Sequence, residues 1–147
     1  MTEVHVAIDI DAPPDIVWAA IEDIESHTKW MADAESIRFT SAEQRGVGTR
    51  FVCATRIGPI HLDDVMEITR WQEPEVMGVS HHGMVTGEGE FTLTPIDLGR
   101  RTRFEWREQL HLPWYLGGAL GAAIAAPLVL APLWRRNLRR LRALITP

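Results

Sequence analysis

One cysteine, Cys53, is all the chain contains, so neither an intrachain disulfide nor a cysteine-based zinc cluster can form. Lysine is equally scarce: Lys29 stands alone beside fourteen arginines. There is no His-Glu-x-x-His stretch, and the adjacent His81 and His82 point to opposite faces if extended, so no metal is expected. A Gly-x-Ser-x-Gly nucleophile elbow is missing too. Gly46-Val47-Gly48 runs into a strand rather than a helix and lacks the third glycine and the lysine of a phosphate loop. It reads as a turn, and no cofactor is expected. A formal charge of −5 offers no general basic surface, which argues against nucleic acid as a partner. The opening MTEVHVAIDIDAP has no basic segment and no long apolar run, so it is not a secretory signal. The cytoplasm is the expected compartment.

What is present suits one globular domain spanning residues 1–147, with 46% apolar and 24% charged residues. Val4, Val6, Ile8 and Ile10 alternate with polar neighbours, the period of a half-buried strand. Pro13 and Pro14 end it and suit the first turn of a helix running to about Asp23. A second short helix is expected over Glu25–Met31. Strand-like segments follow at 36–41, 48–56, 60–71, 76–82, 87–95 and 100–112, punctuated by turn signals such as Gly58-Pro59 and Asp97-Leu98-Gly99. From Pro113 nearly to Ile145 the apolar period becomes helical, with Pro127 and Pro132 predicted to kink the helix. The order β, α, α, six β, long α predicts an α+β domain in which the last helix covers one sheet.

This order and three local motifs resemble the SRPBCC superfamily, the START and plant-allergen-like helix-grip proteins that include polyketide cyclase/dehydrase-like members. The motifs are Ala12-Pro13-Pro14-Asp15-Ile16-Val17-Trp18 with Asp23 and Trp30, Arg45-Gly46-Val47-Gly48-Thr49-Arg50-Phe51, and Gly99-Arg100-Arg101-Thr102-Arg103-Phe104. The resemblance runs from Val4 to Ile145. It implies a helix-grip fold: a seven-stranded antiparallel sheet curled around the C-terminal helix, with a hydrophobic cavity between them. Its walls are expected from Phe51, Met66, Phe91 and Trp106 on strands and from Trp114, Leu120, Gly121 and Ile124 on the helix, with a mouth near Trp114 and Tyr115.

Alternation supplies the polar candidates. Thr102, Phe104, Trp106, Glu108 and Leu110 share one face, and its aromatics point it inward, carrying Glu108 with them. In the segment 60–68 the even positions look inward, Asp64 among them. In 76–82 either Gly78, Ser80 and His82 or Met77, Val79 and His81 face in. A cluster of His82, Glu108 and Asp64 within an apolar pocket could perform general acid–base work, the enolisation, aldol closure and dehydration that the resemblance to polyketide cyclases implies. The plainer alternative makes both histidines polar strand-end residues and pairs Glu108 with an arginine.

Three functions are therefore expected to compete. The first is a binding module, monomeric or homodimeric, for a lipid, isoprenoid or polyketide-like molecule. The second is a cyclase/dehydratase. The third rests on residues 109–134, which carry no formal charge and precede Arg135, Arg136, Arg139, Arg140 and Arg142. That segment is long enough to cross a bilayer, but removing it would uncover the sheet, so peripheral membrane contact is the milder form of this reading.

Overall fold

In the computed structural model, which describes residues 2–147, seven antiparallel strands form one open sheet in the order β1-β7-β6-β5-β4-β3-β2. They are β1 (Thr2–Ile10), β2 (Ala34–Phe39), β3 (Arg50–Ile57), β4 (Ile60–Gln72), β5 (Val76–His82), β6 (Thr86–Ile96) and β7 (Arg101–His111). Consecutive strands from β2 to β7 are neighbours, and β1 returns to pair with β7. The helix-grip arrangement expected from the sequence is the one observed.

Proline sets the first helix. Pro13 and Pro14 begin α1 (Pro14–Ile21), where a missing N–H costs nothing, and its Val17, Trp18 and Ile21 are buried. The second helix expected over 25–31 is a tighter 3-10 segment, Ile24–Lys29. It sets the Trp30 ring edge-on to Trp106, with centroids 6.0 Å apart.

The C-terminal helix is not one stripe. After a 3-10 turn (Trp114–Leu116), Gly117 and Gly118 adopt left-handed φ values of 94° and 55° and start α2 (Gly118–Ala125). The helix loosens into a π-helical stretch, Ala126–Leu130, around Pro127, whose absent N–H breaks the regular ladder. It then resumes as α3 (Ala131–Ile145). Only α3 grips the sheet tightly: Leu138 and Leu141 are fully buried, and Trp134 stacks on Trp106 at 4.4 Å. Along α2 only Ala122 is buried.

Asn137 ties α3 to the chain a hundred residues earlier. Its Nδ2 donates to Asp33 Oδ1 at 2.8 Å, and its Oδ1 accepts from the Ala32 N–H at 3.0 Å. These bonds satisfy an amide that is itself fully buried.

Candidate functional site

The pleat of β7 turns Thr102, Phe104, Trp106, Glu108 and Leu110 inward, and all five are buried. Phe104, Trp106 and Leu110 are apolar, and the Thr102 hydroxyl donates to the Ala12 carbonyl at 2.7 Å. Glu108 is a carboxylate that needs a partner, and register supplies one at a distance. Glu108 lies opposite Gly89 of β6, which lies opposite Val79 of β5. Because Gly89 has no side chain, Glu108 can lean across β6. A Cβ at Gly89 would stand 2.6 Å from both Cγ and Oε1 of Glu108. The reach ends on His81, whose Nε2 lies 3.2 Å from Glu108 Oε1.

The other ring nitrogen is held from the far side. His81 Nδ1 donates to Asp64 of β4, at 2.8 Å from Oδ1 and 3.0 Å from Oδ2. His81 is paired across the strands with Met66, so Asp64 meets it diagonally. The three charged residues thus span four strands on the inner face. Burial disfavours the charged imidazole. The Glu108 charge, the hydrogen bonds to Asp64 and Glu108, and the Asp64 charge together outweigh that, and push the His81 pKa up to about 10. At neutral pH His81 is an imidazolium between two carboxylates. Glu108 Oε2 makes no protein hydrogen bond among the described residues.

Two neighbours share this environment. Cys53, opposite Asp64 in the β3–β4 register, has its thiol pushed up to about 11 by burial, with Asp64 and Asp33 adding to the rise. It is not a ready thiolate. Burial also raises the Asp33 pKa, against the hydrogen bond from Asn137, and the Asp64 charge reinforces the rise. Further in, His27 donates from Nε2 to the Ile21 carbonyl at 2.7 Å, and burial lowers its pKa to about 4. It packs neutral against Trp30 and Phe91.

Several expected positions are corrected. His82 does not join Glu108 and Asp64: β5 turns Met77, Val79 and His81 inward, and His82 is exposed on the outer face against Ser80. The apolar Met77 and Val79 beside the small Gly78 and Ser80 were the signal that could have chosen between the two faces. Phe51, Phe91 and Trp106 are buried and Met66 is half-buried, but Phe91 and Trp106 are packed ring against ring. Trp134, stacked on Trp106, fills space on the helix side. Trp114, Leu120 and Ile124 face solvent, at 86%, 71% and 54% exposed, because α2 does not press its apolar side onto the sheet. Gly121 opens no cavity either. A Cβ there would lie 2.4 Å from the Leu116 carbonyl oxygen, so the glycine permits the tight turn into α2. Asp33, Asn137 and Gly89 had no sequence signal of their own.

A cleft of about 520 Å³ opens near the β3–β4 turn, lined in part by Thr55, Leu62 and Met84. Its remaining walls are Glu35, Ala54, His61 and Asp63, so it lies at the edge of the sheet and reaches its outer face, and none of Asp64, His81 and Glu108 lines it. A second hollow, about 430 Å³, lies on the outer face of the sheet around Arg70, Glu90 and Arg107.

Solved structures share this architecture. A protein from Thermus thermophilus is similar with a TM-score of 0.77 at 19% identity, over 97% of this chain and 96% of that one. One from Nitrosospira multiformis gives 0.73 at 19% identity, over 98% and 96%. The Zhui aromatase/cyclase from a Streptomyces species gives 0.75 at 14% identity, over 97% and 92%. No curated protein matches the sequence. The family described as polyketide cyclase / dehydrase and lipid transport matches over residues 1–146, and the chain belongs to that family.

Proposed function

We propose that this protein binds a hydrophobic small molecule bearing a hydroxyl or similar donor, with the donor taken by the Asp64–His81–Glu108 cluster. The observation that carries the reading is that cluster. Three ionisable groups held in an apolar interior cost desolvation, and a purely structural role would be served as well by apolar side chains. Glu108 retains a free oxygen to accept from a ligand.

Titration with farnesol and 1-naphthol, followed by tryptophan fluorescence, tests this. Trp30 and Trp106 lie inside the fold and report on changes there. Saturable quenching that weakens in Glu108→Gln supports the reading; no change with either probe, or equal binding by the variant, overturns it.

A cyclase/dehydratase reading has a specific support in the same cluster, and the similar Zhui protein carries the name aromatase/cyclase. His81 at about 10 is too basic to serve as a neutral general base at pH 7. In this reading the free oxygen of Glu108 removes the proton next to a carbonyl, and the His81 Nε2–H, released as Glu108 loses its charge, turns from Glu108 Oε1 to donate to the forming enolate oxygen, while Nδ1–H stays on Asp64. Glu108→Gln would then abolish turnover of a polyketide-like substrate while leaving most of its binding, which separates the enzyme from the carrier.

A further inference from the structure

The apolar side of α2 and the arginines of α3 form one continuous surface that the fold leaves uncovered. Leu120, Ile124 and Leu128 follow each other at four-residue steps and are 71%, 54% and 71% exposed. Trp114 and Tyr115 project beside them at 86% and 54%. Arg135, Arg136, Arg139, Arg140 and Arg142 come next, all on the exposed side of α3. From residue 109 to residue 147 there is no acidic side chain at all.

From these features we infer that this surface docks on an anionic lipid bilayer, with α2 lying in the interface and the arginines on the headgroups. An amphipathic tryptophan and tyrosine next to aliphatic side chains suit the boundary between headgroups and acyl chains. Five guanidinium groups find their counter-charge in lipid phosphates and carboxylates.

Two other occupants fit worse. The stretch Trp114–Ile145 is long and apolar enough to cross a membrane. But α3 is fastened to the core by Trp134, Leu138, Leu141 and the Asn137 bonds, so only about thirteen residues of α2 and the π-helical stretch lie outside it, and these bury Ala122 and Ala126 as well. At 1.5 Å per residue these reach about 20 Å, short of the roughly 30 Å hydrocarbon core. A second copy packed through the same apolar face would meet residues 109–134, which bring no carboxylate to the arginines.

The surface is distinct from the Asp64–His81–Glu108 cluster and its test needs no ligand. The full chain is sedimented with vesicles of phosphatidylcholine alone, and with vesicles in which about one lipid in three is phosphatidylserine. The expected result is binding to the anionic vesicles that falls steeply between about 0.1 M and about 0.5 M salt. Each arginine replaced in the series Arg135→Gln, Arg139→Gln, Arg142→Gln should weaken it about fivefold. The double variant Leu120→Ser, Ile124→Ser should weaken it about tenfold or more at unchanged circular dichroism, since neither side chain packs in the core. Equal binding to neutral vesicles, absence of binding to either, or a dimer in sedimentation velocity that the double variant abolishes would each overturn the inference.

Discussion

Raising the pH should weaken the fold through one residue, and the size of the effect follows from the His81 environment. In the unfolded chain a histidine titrates near 6.5; between Asp64 and Glu108 it holds its proton to about 10. A folded pKa above the unfolded one means that the native state binds the proton more tightly. The stabilisation is complete below pH 6.5 and is lost progressively as pH rises towards 10. At about 1.4 kcal/mol per pH unit of difference, the site contributes roughly 4 kcal/mol at pH 7 and about 1.4 kcal/mol at pH 9, a loss of about 2.5 kcal/mol. Urea unfolding at pH 7, 8 and 9 measures it. In Glu108→Gln the largest upward influence on His81 is removed, so the loss should be roughly halved, and stability at pH 7 should drop by about 2 kcal/mol. NMR titration of the imidazole provides the site-specific readout. A wild type whose stability is flat from pH 7 to 9, or a variant with an unchanged slope, would refute the reasoning.

Other expectations concern neighbouring parts of the fold. Gly89→Ala should mimic Glu108→Gln, because the added Cβ displaces the Glu108 side chain from its path to His81, and the imidazole titration should move down in both. At acid pH the relevant residue is His27: its folded pKa of about 4 lies below the unfolded 6.5, so about 3 kcal/mol is lost as pH falls through that interval. The raised Asp33 acts in the opposite sense, and His27→Gln should flatten the acid limb of the stability curve. Asn137→Leu leaves the Asp33 carboxyl and the Ala32 N–H without their partner and should cost about 2 to 4 kcal/mol in chemical denaturation. Gly121→Leu should perturb the turn at 117–121, visible as faster amide exchange there, rather than alter ligand uptake.

Much of the sheet could be read from alternation. In β7 the aromatics Phe104 and Trp106 fix which face is inward, and Glu108 follows from spacing alone. In β5 each face carries one histidine, and a single-residue slip exchanges His81 for His82, so period alone left the choice open. The contact between Glu108 and His81 depends on Gly89, whose contribution is the absence of a side chain on an intervening strand. No local pattern announces that. The Asp33–Asn137 bond joins positions more than a hundred residues apart and is equally invisible in a linear reading. The last helix was legible only in part: its apolar period predicted a cover for the sheet, and α3 supplies most of it, with Trp134 stacked on Trp106, whereas α2 and the π-helical stretch bury only Ala122 and Ala126. An apolar period states what a helix can bury against, not that this chain supplies the surface, and α2 keeps Leu120 and Ile124 exposed.

Anchoring of a hydrophobic molecule at Asp64, His81 and Glu108 is the property to test first. Native mass spectrometry of protein purified without detergent, before and after denaturation, tests it most directly once the protein is exposed to a total lipid extract. The expected result is a discrete apolar adduct on the 16.6 kDa chain, released on unfolding and lost or much reduced in Glu108→Gln. A bare mass in the wild type, or an adduct retained unchanged by the variant, would contradict it.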